Sequence, residues 1–406
     1  MKRLYPWAMV AMLWFVCFIN YADRQAIFSL FPLLKHDLAL SDIQLGIVGS
    51  CFMWMYALAG PLAGWVSDRI SPRSVVLGAL VFWSMATAAT ALCHDYAWLV
   101  AVRTLGGLGE AFYFPAAMAL IGAVHPAATR SRAMAVHQSS VYAGTIGGGA
   151  MAALVAERHG WRLSFVSFGA IGVVLALALL FALRPTTVPG SKAKLRDFGN
   201  GVLSVLSEGR VVAMIVAFIG ANFVAVVFLT WLPTYLYKAF HLSLTGAGFS
   251  STAYLQTASV LGVLCGGVLA DRFARRSPGG RQWVQAGGLL LGVPFLVLIG
   301  LSPTMIWLIA GMTGFGFCKG LYDANIWASL YDVIPVEKRG VAAGVMNSLG
   351  WLGGGFAPIV VAALARHFGL AACLGATSVV YLGTALLLAL LARNMRVRGP
   401  VMLHAA

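Results

Sequence analysis

Arg103 and Glu110 are the charged residues from which the chain can be read. They sit in Arg103-Thr-Leu-Gly-Gly-Leu-Gly-Glu-Ala-Phe-Tyr-Phe-Pro115, inside an apolar run from Ala97 to about Val124. A run of ~20 apolar residues is enough to cross a bilayer. A charge at membrane depth costs at least ~2.5–3.5 kcal/mol on insertion scales, so it faces a partner or a water-filled cavity. The two residues are about two helical turns apart and so share one helix face. Gly106, Gly107 and Gly109 between them allow a neighbouring backbone to come close. Asp23 and Arg24, and further on Lys319 and Asp323, lie in comparable apolar runs. A rise of ~1.5 Å per residue puts Glu110 at ~20 Å, Lys319 at ~22 Å and the Asp23-Arg24 pair at ~15 Å below the outer face.

Carboxylates and cations at similar depth suit coupled binding of a proton and an anion. A desolvated carboxylate holds its proton more tightly, and an adjacent cation loosens it again. An anion that takes the cation leaves the carboxylate free to protonate, so the two ligands bind together by linkage. On this reading Glu110 is the first candidate proton carrier and Asp23 the second. Arg24 and Lys319 are the candidate anion hooks: Arg offers a planar two-point contact, Lys a point charge. Each assignment has a structural rival. Asp23 and Arg24 can lock a gate as a pair, and Arg103 can serve Asp23 or a backbone as a structural partner. Lys319 and Asp323, at i and i+4, can satisfy each other. The polar residues Tyr21, Tyr56, Gln138, Asn222, Gln256, Tyr322 and Asn347, with Asn20, Tyr254 and Asn325, can complete a pocket or simply bond between helices. His137 can titrate near neutrality or serve as a packing residue.

The housing for these groups follows from composition. The 406 residues are 60% hydrophobic and only 10% charged, with a mean hydropathy of +0.85. Soluble domains carry about 25% charged residues, so an integral membrane protein is expected. No alternating ten-residue segments argue for a β-barrel. The formal charge of +15 suggests a polyanionic partner, but the placement of the charges removes the need for one. With the N-terminus inside, most of the Lys and Arg fall in cytoplasmic segments, including Lys2, Arg3, Arg69, Arg73, Arg130, Arg132, Lys192, Lys194, Arg272, Arg275, Arg276 and Lys338. That is the positive-inside bias, and no nucleic acid is implied. The six cysteines are scattered singly, so neither a disulfide framework nor a metal site is expected, and no cofactor is called for. The apolar stretch after Met1-Lys-Arg is too long for a signal peptide and is read as the first membrane helix.

Twelve spans are expected, at about 6–33, 43–66, 73–93, 97–124, 133–156, 163–184, 211–237, 246–270, 283–302, 304–331, 340–365 and 369–392. They divide the chain into an N-terminal six-helix bundle (1–184), a cytoplasmic central loop (185–210), a C-terminal six-helix bundle (211–393) and a cytoplasmic tail (394–406), with both termini cytoplasmic. The halves echo each other. Gly64-Trp-Val-Ser-Asp68-Arg69-Ile-Ser-Pro-Arg73 follows span 2, and Gly267-Val-Leu-Ala-Asp271-Arg272-Phe-Ala-Arg-Arg276 follows span 8. A second echo pairs Gly107-Leu-Gly109 with Gly314-Phe-Gly316. Two such halves place a substrate site between them near the midplane.

With these motifs the whole chain resembles the major facilitator superfamily of secondary transporters. Both loops resemble the family's Gly-x-x-x-Asp-Arg-x-Gly-Arg-Arg motif, with Ser71 and Pro72 replacing its second Gly and first Arg, and Ala274 in the Gly place of the second copy. Arg103, Gly107, Gly109 and Ala111 match its Arg-x-x-x-Gly-x-Gly-x-Ala motif. The resemblance implies an all-α integral membrane protein of twelve transmembrane helices in two pseudo-symmetric six-helix bundles. It implies that spans 1, 4, 7 and 10 line the cavity, and that Asp68, Arg69 and Arg73, with Asp271 and Arg272, hold the inner gate. The rival reading of those arginines is plain topology-setting charge. Asn20-Tyr-Ala-Asp23-Arg24, Gly109-Glu110-Ala111 and Trp231-Leu-Pro-Thr-Tyr-Leu236 are similar to the anion:cation symporter branch, which handles hexuronates, aldonates and related acids with protons. The first two pieces also resemble the spinster-like branch, associated with lysolipids. Gly144-Thr-Ile-Gly147-Gly-Gly149 lacks the Gly-Pro pair of the antiporter motif.

The expected function is therefore proton-coupled symport of a small organic anion by a monomer in a bacterial inner membrane. Two alternatives stand beside it: a spinster-like carrier of lysolipid, and a non-transporting membrane sensor on a transporter scaffold. No catalytic motif argues for an enzyme.

Overall fold

The computed structural model describes residues 4–67, 69–184, 195–335 and 338–398, and these are helical with no strand. The N-terminal half comprises α1 (Tyr5–Ser29), α2 (Phe31–Asp37), α3 (Asp42–Ser67), α4 (Pro72–Thr90), α5 (Tyr96–Ala111), α6 (Tyr113–Val124), α7 (Ala127–His159) and α8 (Trp161–Ala182). The rest comprises α9 (Leu195–Leu206), α10 (Gly209–Ala239), α11 (Leu244–Ala274), α12 (Gly280–Leu301), α13 (Met305–Asp323), α14 (Ile326–Val333), α15 (Arg339–Gly354) and α16 (Ala357–Arg398).

Eleven helical stretches are long and apolar enough to cross a membrane. The last, Arg339–Met395, runs for 57 residues, which is about 85 Å of helix and roughly twice a bilayer's thickness. It turns at Gly369, where φ is 80°, and so makes two crossings, for twelve among the described residues. The chain is a multi-pass membrane protein.

Local chemistry sets the ends of these helices. Pro72 opens α4, where a missing N–H costs nothing. Asp95 caps α5 by accepting from Trp98 N at 2.7 Å. Gly160, at φ 85°, separates α7 from α8, as Gly369 divides α16. A side chain at either position would strain a left-handed backbone.

The chain forms two compact units. The first holds Met1–Lys192, Leu229–Thr252 and Pro358–Ala363. In it Trp83, Tyr113, Leu80, Leu120, Val16 and Leu13 build one buried core from α1, α4 and α6. Gly144 and Gly148 of α7 lie against the backbone of Phe18 and Ala22, which draws α1 close and fixes how its next turn projects. The end of this unit holding the 69–71 connection is termed proximal, and the end holding Gly160 distal. At the distal end Gln25 Nε2 donates to Leu229 O at 3.0 Å, and Trp231 Nε1 to Pro358 O at 3.1 Å. Glu157 accepts from Thr245 N at 3.0 Å and from its Oγ1 at 2.6 Å.

The second unit holds Ala193–Phe228, Ala253–Ala357 and Leu364–Ala406. Its core includes Phe228 on Phe315, with ring centroids 4.7 Å apart, and Phe315 on Tyr381 at 5.5 Å. The segment read as a central loop contains α9, whose Val205 is fully buried and whose Gly201 lies against Val341. Val202, Val205 and Leu206 recur a turn apart, so a short stretch within a polar break still has one apolar face. Residues 185–194, which carry Lys192 and Lys194, and the tail from 399 lie outside the described residues.

The repeat survives as geometry, with one correction of register. A side chain on Gly107 would overlap the carbonyl of Phe52, and one on Gly316 the carbonyl of Leu255. Phe52 and Leu255 are separated by the same interval as Asp68 and Asp271. Gly107 therefore corresponds to Gly316, not to Gly314 as the sequence echo suggests. The turns Gly160 and Gly369 are separated by the same interval as Gly107 and Gly316. In that register Glu110 and Lys319 occupy equivalent places, one turn beyond the close-packed glycine, with opposite charge.

Candidate functional site

Arg24 and Glu110 form a buried ion pair inside the first unit. The guanidinium of Arg24 donates to Glu110 Oε2 from Nη2 at 2.8 Å and from Nε at 3.2 Å. The two side chains are 8% and 2% exposed, so the pair is held out of bulk solvent. Arg24 reaches the carboxylate because Gly148 lets α1 press against α7, while Gly107 seats α5 on α3.

Aromatic rings box the pair. The Arg24 guanidinium lies 4.8 Å from the Tyr21 ring, 4.7 Å from Tyr56 and 5.0 Å from Phe52. Arg103 lies 4.7 Å from the same Phe52 ring. Phe52 and Tyr56 stack 6.4 Å apart on one face of α3. Ring faces attract cations, more so where water is excluded. Phe52 thus serves both arginines, and its carbonyl receives Gly107.

Asp23 is adjacent to Arg24 in sequence but projects about 100° away around the helix. Its Oδ2 accepts from Thr87 Oγ1 at 3.3 Å. Among the described residues its Oδ1 has no hydrogen-bond partner, and neither do Nε and Nη2 of Arg103. Near the pair, His137 Nε2 and Tyr113 Oη lie 2.8 Å apart. Tyr113 also donates to Leu13 O at 2.7 Å, so His137 donates from Nε2. Asn20 of α1 is buried.

Of the expected site residues, the structure brings together Arg24, Glu110, Tyr21 and Tyr56. Lys319 pairs with Asp323 on the same face of α13 in the second unit. The hydroxyl of Tyr322, between them in sequence, is buried without a partner among the described residues. Asn222 donates to Gly350 O at 2.8 Å and so ties α10 to α15. Asn325 donates to Gly266 O and Leu321 O, both at 3.1 Å, where α13 ends. Gln256 is buried, Tyr254 and Asn347 are half-buried, and Gln138 is exposed.

Asp68 lies outside the described residues. Arg69 stacks 4.2 Å from the Trp65 ring and donates to Trp65 O at 3.1 Å. Arg73 donates from Nε to Leu183 O at 2.7 Å, which pins α4 to the end of α8. In the second unit Asp271 meets Arg281 at 3.2 Å, and Arg281 meets Asp332 at 2.8 Å. Arg272 is exposed at the end of α11.

Sequence reasoning did not single out Phe52, Thr87, Arg281, Asp332 or the buried Gln285–Ser329 bond, 2.8 Å long. Phe52 had a signal in its i, i+4 relation to Tyr56. Thr87 and Ser329 had none, since a lone hydroxyl in an apolar run resembles any other.

The sequence model described as Major Facilitator Superfamily matches residues 13–358 and 236–401. The chain is 27% identical over 401 residues to a probable galactarate/D-glucarate transporter of Bacillus subtilis, covering 89% of this chain and 86% of that one. It is 30% identical over 397 residues to an MFS-type efflux pump of Mycolicibacterium smegmatis, covering 96% and 90%. In fold it is similar to a bacterial homologue of the human lysosomal transporter Spinster, solved inward-facing and unoccupied. That match has a TM-score of 0.83 and 20% identity, and covers 96% of this chain and 97% of that one.

Proposed function

The chain belongs to the major facilitator superfamily, and from that premise we propose that it is a proton-coupled symporter of a small organic anion, a sugar acid or related carboxylate. It works by alternating access as a monomer in a bacterial inner membrane, with both termini cytoplasmic. The observation that carries the reading is the buried Arg24–Glu110 pair in its aromatic box. The resemblance to a galactarate/D-glucarate transporter supports a carboxylate as cargo.

The substrate carboxylate competes with Glu110 for the guanidinium of Arg24. A guanidinium makes two parallel hydrogen bonds to a carboxylate, so the exchange conserves charge and geometry. Glu110, released from its cation, takes a proton, and Asp23 stands as the second carrier. Lys319, in the place equivalent to Glu110, offers a second cation, which it shares with Asp323. Tyr21 and Tyr56 add hydroxyls for a polyol chain, and a site built on such donors rejects ligands that leave them unpaired. Asp68, Arg69, Arg73, Asp271 and Arg272 act at the proximal ends as gate and topology charges.

The test uses purified protein in liposomes with an imposed pH gradient and labelled glucarate, monocarboxylates and lysolipid. Gradient-driven accumulation of a sugar acid, lost in Glu110→Gln while exchange persists, supports the reading. Gradient-independent lysolipid movement replaces it with the spinster-like alternative. Tight glucarate binding with no flux replaces it with the sensor.

A further inference from the structure

We propose that a groove on the outer face of the first unit binds one acyl chain of an anionic membrane phospholipid. The groove lies between α3, α4 and the α5–α6 junction and has a volume of about 450 Å³. Leu62, Val66, Val75, Ala79, Phe82 and Phe112 make its walls. It is open to one side, where Leu62 and Phe82 are 50% and 43% exposed.

This is not the Arg24–Glu110 site. Leu108, Gly109 and Phe112 face the groove, whereas Glu110 and Arg103 project from the opposite side of α5 at 100° per residue. The walls belong to membrane-spanning stretches, so the occupant comes from the bilayer. Its walls are apolar apart from Ser74, which suits a hydrocarbon chain.

The headgroup preference follows from the proximal lip. Ile70 and Ser74 line the groove there, and each follows directly on an arginine. Arg69 is exposed and held on Trp65, while Arg73 is anchored on Leu183 O. The Asp68–Arg73 connection carries two arginines against one aspartate. Basic residues near the membrane surface attract anionic lipid headgroups. The chain in the groove packs on Phe112, the single residue between α5 and α6, and so braces the helix that carries Glu110.

The purified full chain is titrated in detergent with phosphatidylglycerol or phosphatidylcholine of identical chains, read by melting temperature and native mass spectrometry. Wild type retains phosphatidylglycerol and is stabilised at least tenfold more tightly by it than by phosphatidylcholine. Gly78→Leu fills the groove, since a Cβ there meets nothing within 4 Å, and Ser74→Trp blocks the lip from an exposed position. Either variant loses the retained lipid and at least tenfold in apparent affinity. Arg69→Gln keeps binding but loses the headgroup preference. Unchanged affinity in both groove variants, or equal affinity of wild type for the two lipids, overturns the proposal. So does a wild-type dimer that either groove variant turns into a monomer, because the occupant would then be a second copy.

Discussion

Arg24 of α1 and Glu110 of α5 face each other at 2.8 Å with almost no solvent access. The pair adds little net stability, since the cost of burying two charges roughly cancels their attraction. Breaking it from one side is different, because a lone charge is left behind. Glu110→Gln leaves a guanidinium that cannot lose its proton, and costs about 3–5 kcal/mol. Arg24→Met leaves a carboxylate that can protonate, so its cost is smaller. The double variant recovers most of the loss. A double-mutant cycle from denaturant unfolding in mixed micelles measures this; additive single effects would show that the pair is not coupled.

A second expectation concerns the two glycines that seat the charged helices. A methyl group on Gly107 or Gly316 would overlap a backbone carbonyl that has no room to retreat. Gly107→Ala and Gly316→Ala should each destabilise by about 1–3 kcal/mol, the usual range for overpacking. Gly64 is the control, because a Cβ there meets nothing within 4 Å. Gly64→Ala should be neutral or stabilise by about 0.5–1 kcal/mol through helix propensity. Melting temperatures followed by size-exclusion of the heated protein separate the cases.

The fold was legible because every span is an apolar run and the turns are marked by Gly160, Gly369 and polar residues. The site was legible in part. Arg24, Glu110, Tyr21 and Tyr56 drew attention as polar residues in lipid, which composition alone exposes. Their mutual geometry was not, because it depends on how α1 and α3 rotate against α5. That rotation is set by Gly148 on Ala22 and Gly107 on Phe52, contacts between small or apolar residues with no chemical signature. For the same reason the sequence echo of Gly107 with Gly314 lies two residues out of register with the packing.

The pH dependence of the distal end follows from Asp37, on the short helix α2 outside the spans. Its hydrogen bond with His36, at 3.1 Å, is the main influence holding its carboxyl below the ordinary value. The bond from Trp161 Nε1, at 2.9 Å, acts in the same direction. A carboxyl with a depressed pKa stabilises the fold above its unfolded value of ~3.9, and that contribution is lost as pH falls through the folded value. The side chain is 40% exposed, so the gain is at most about 1 kcal/mol. Asp37→Asn should lower the melting temperature slightly at pH 7 and not at all near pH 3. An equal deficit at both values would mean that the loss is steric.

Contacts close the distal end of the first unit, and the alternating access proposed above requires it to open. Three features hold it: Glu157 on the start of α11, Gln25 on Leu229, and Gly149 facing Gly248. A Cβ on Gly248 would stand 2.8 Å from Gly149 O and 3.2 Å from Ser29 Oγ, so Gly248→Val wedges the contact apart. Glu157→Gln weakens the bonds to Thr245, since an amide offers only one oxygen where the carboxylate engages two. Ser29 is 1% exposed and reports on both. A Ser29→Cys background should react at least tenfold faster with a membrane-impermeant maleimide once either change is added. If labelling is unchanged while sugar-acid transport continues, the opening movement lies elsewhere and these contacts are static packing.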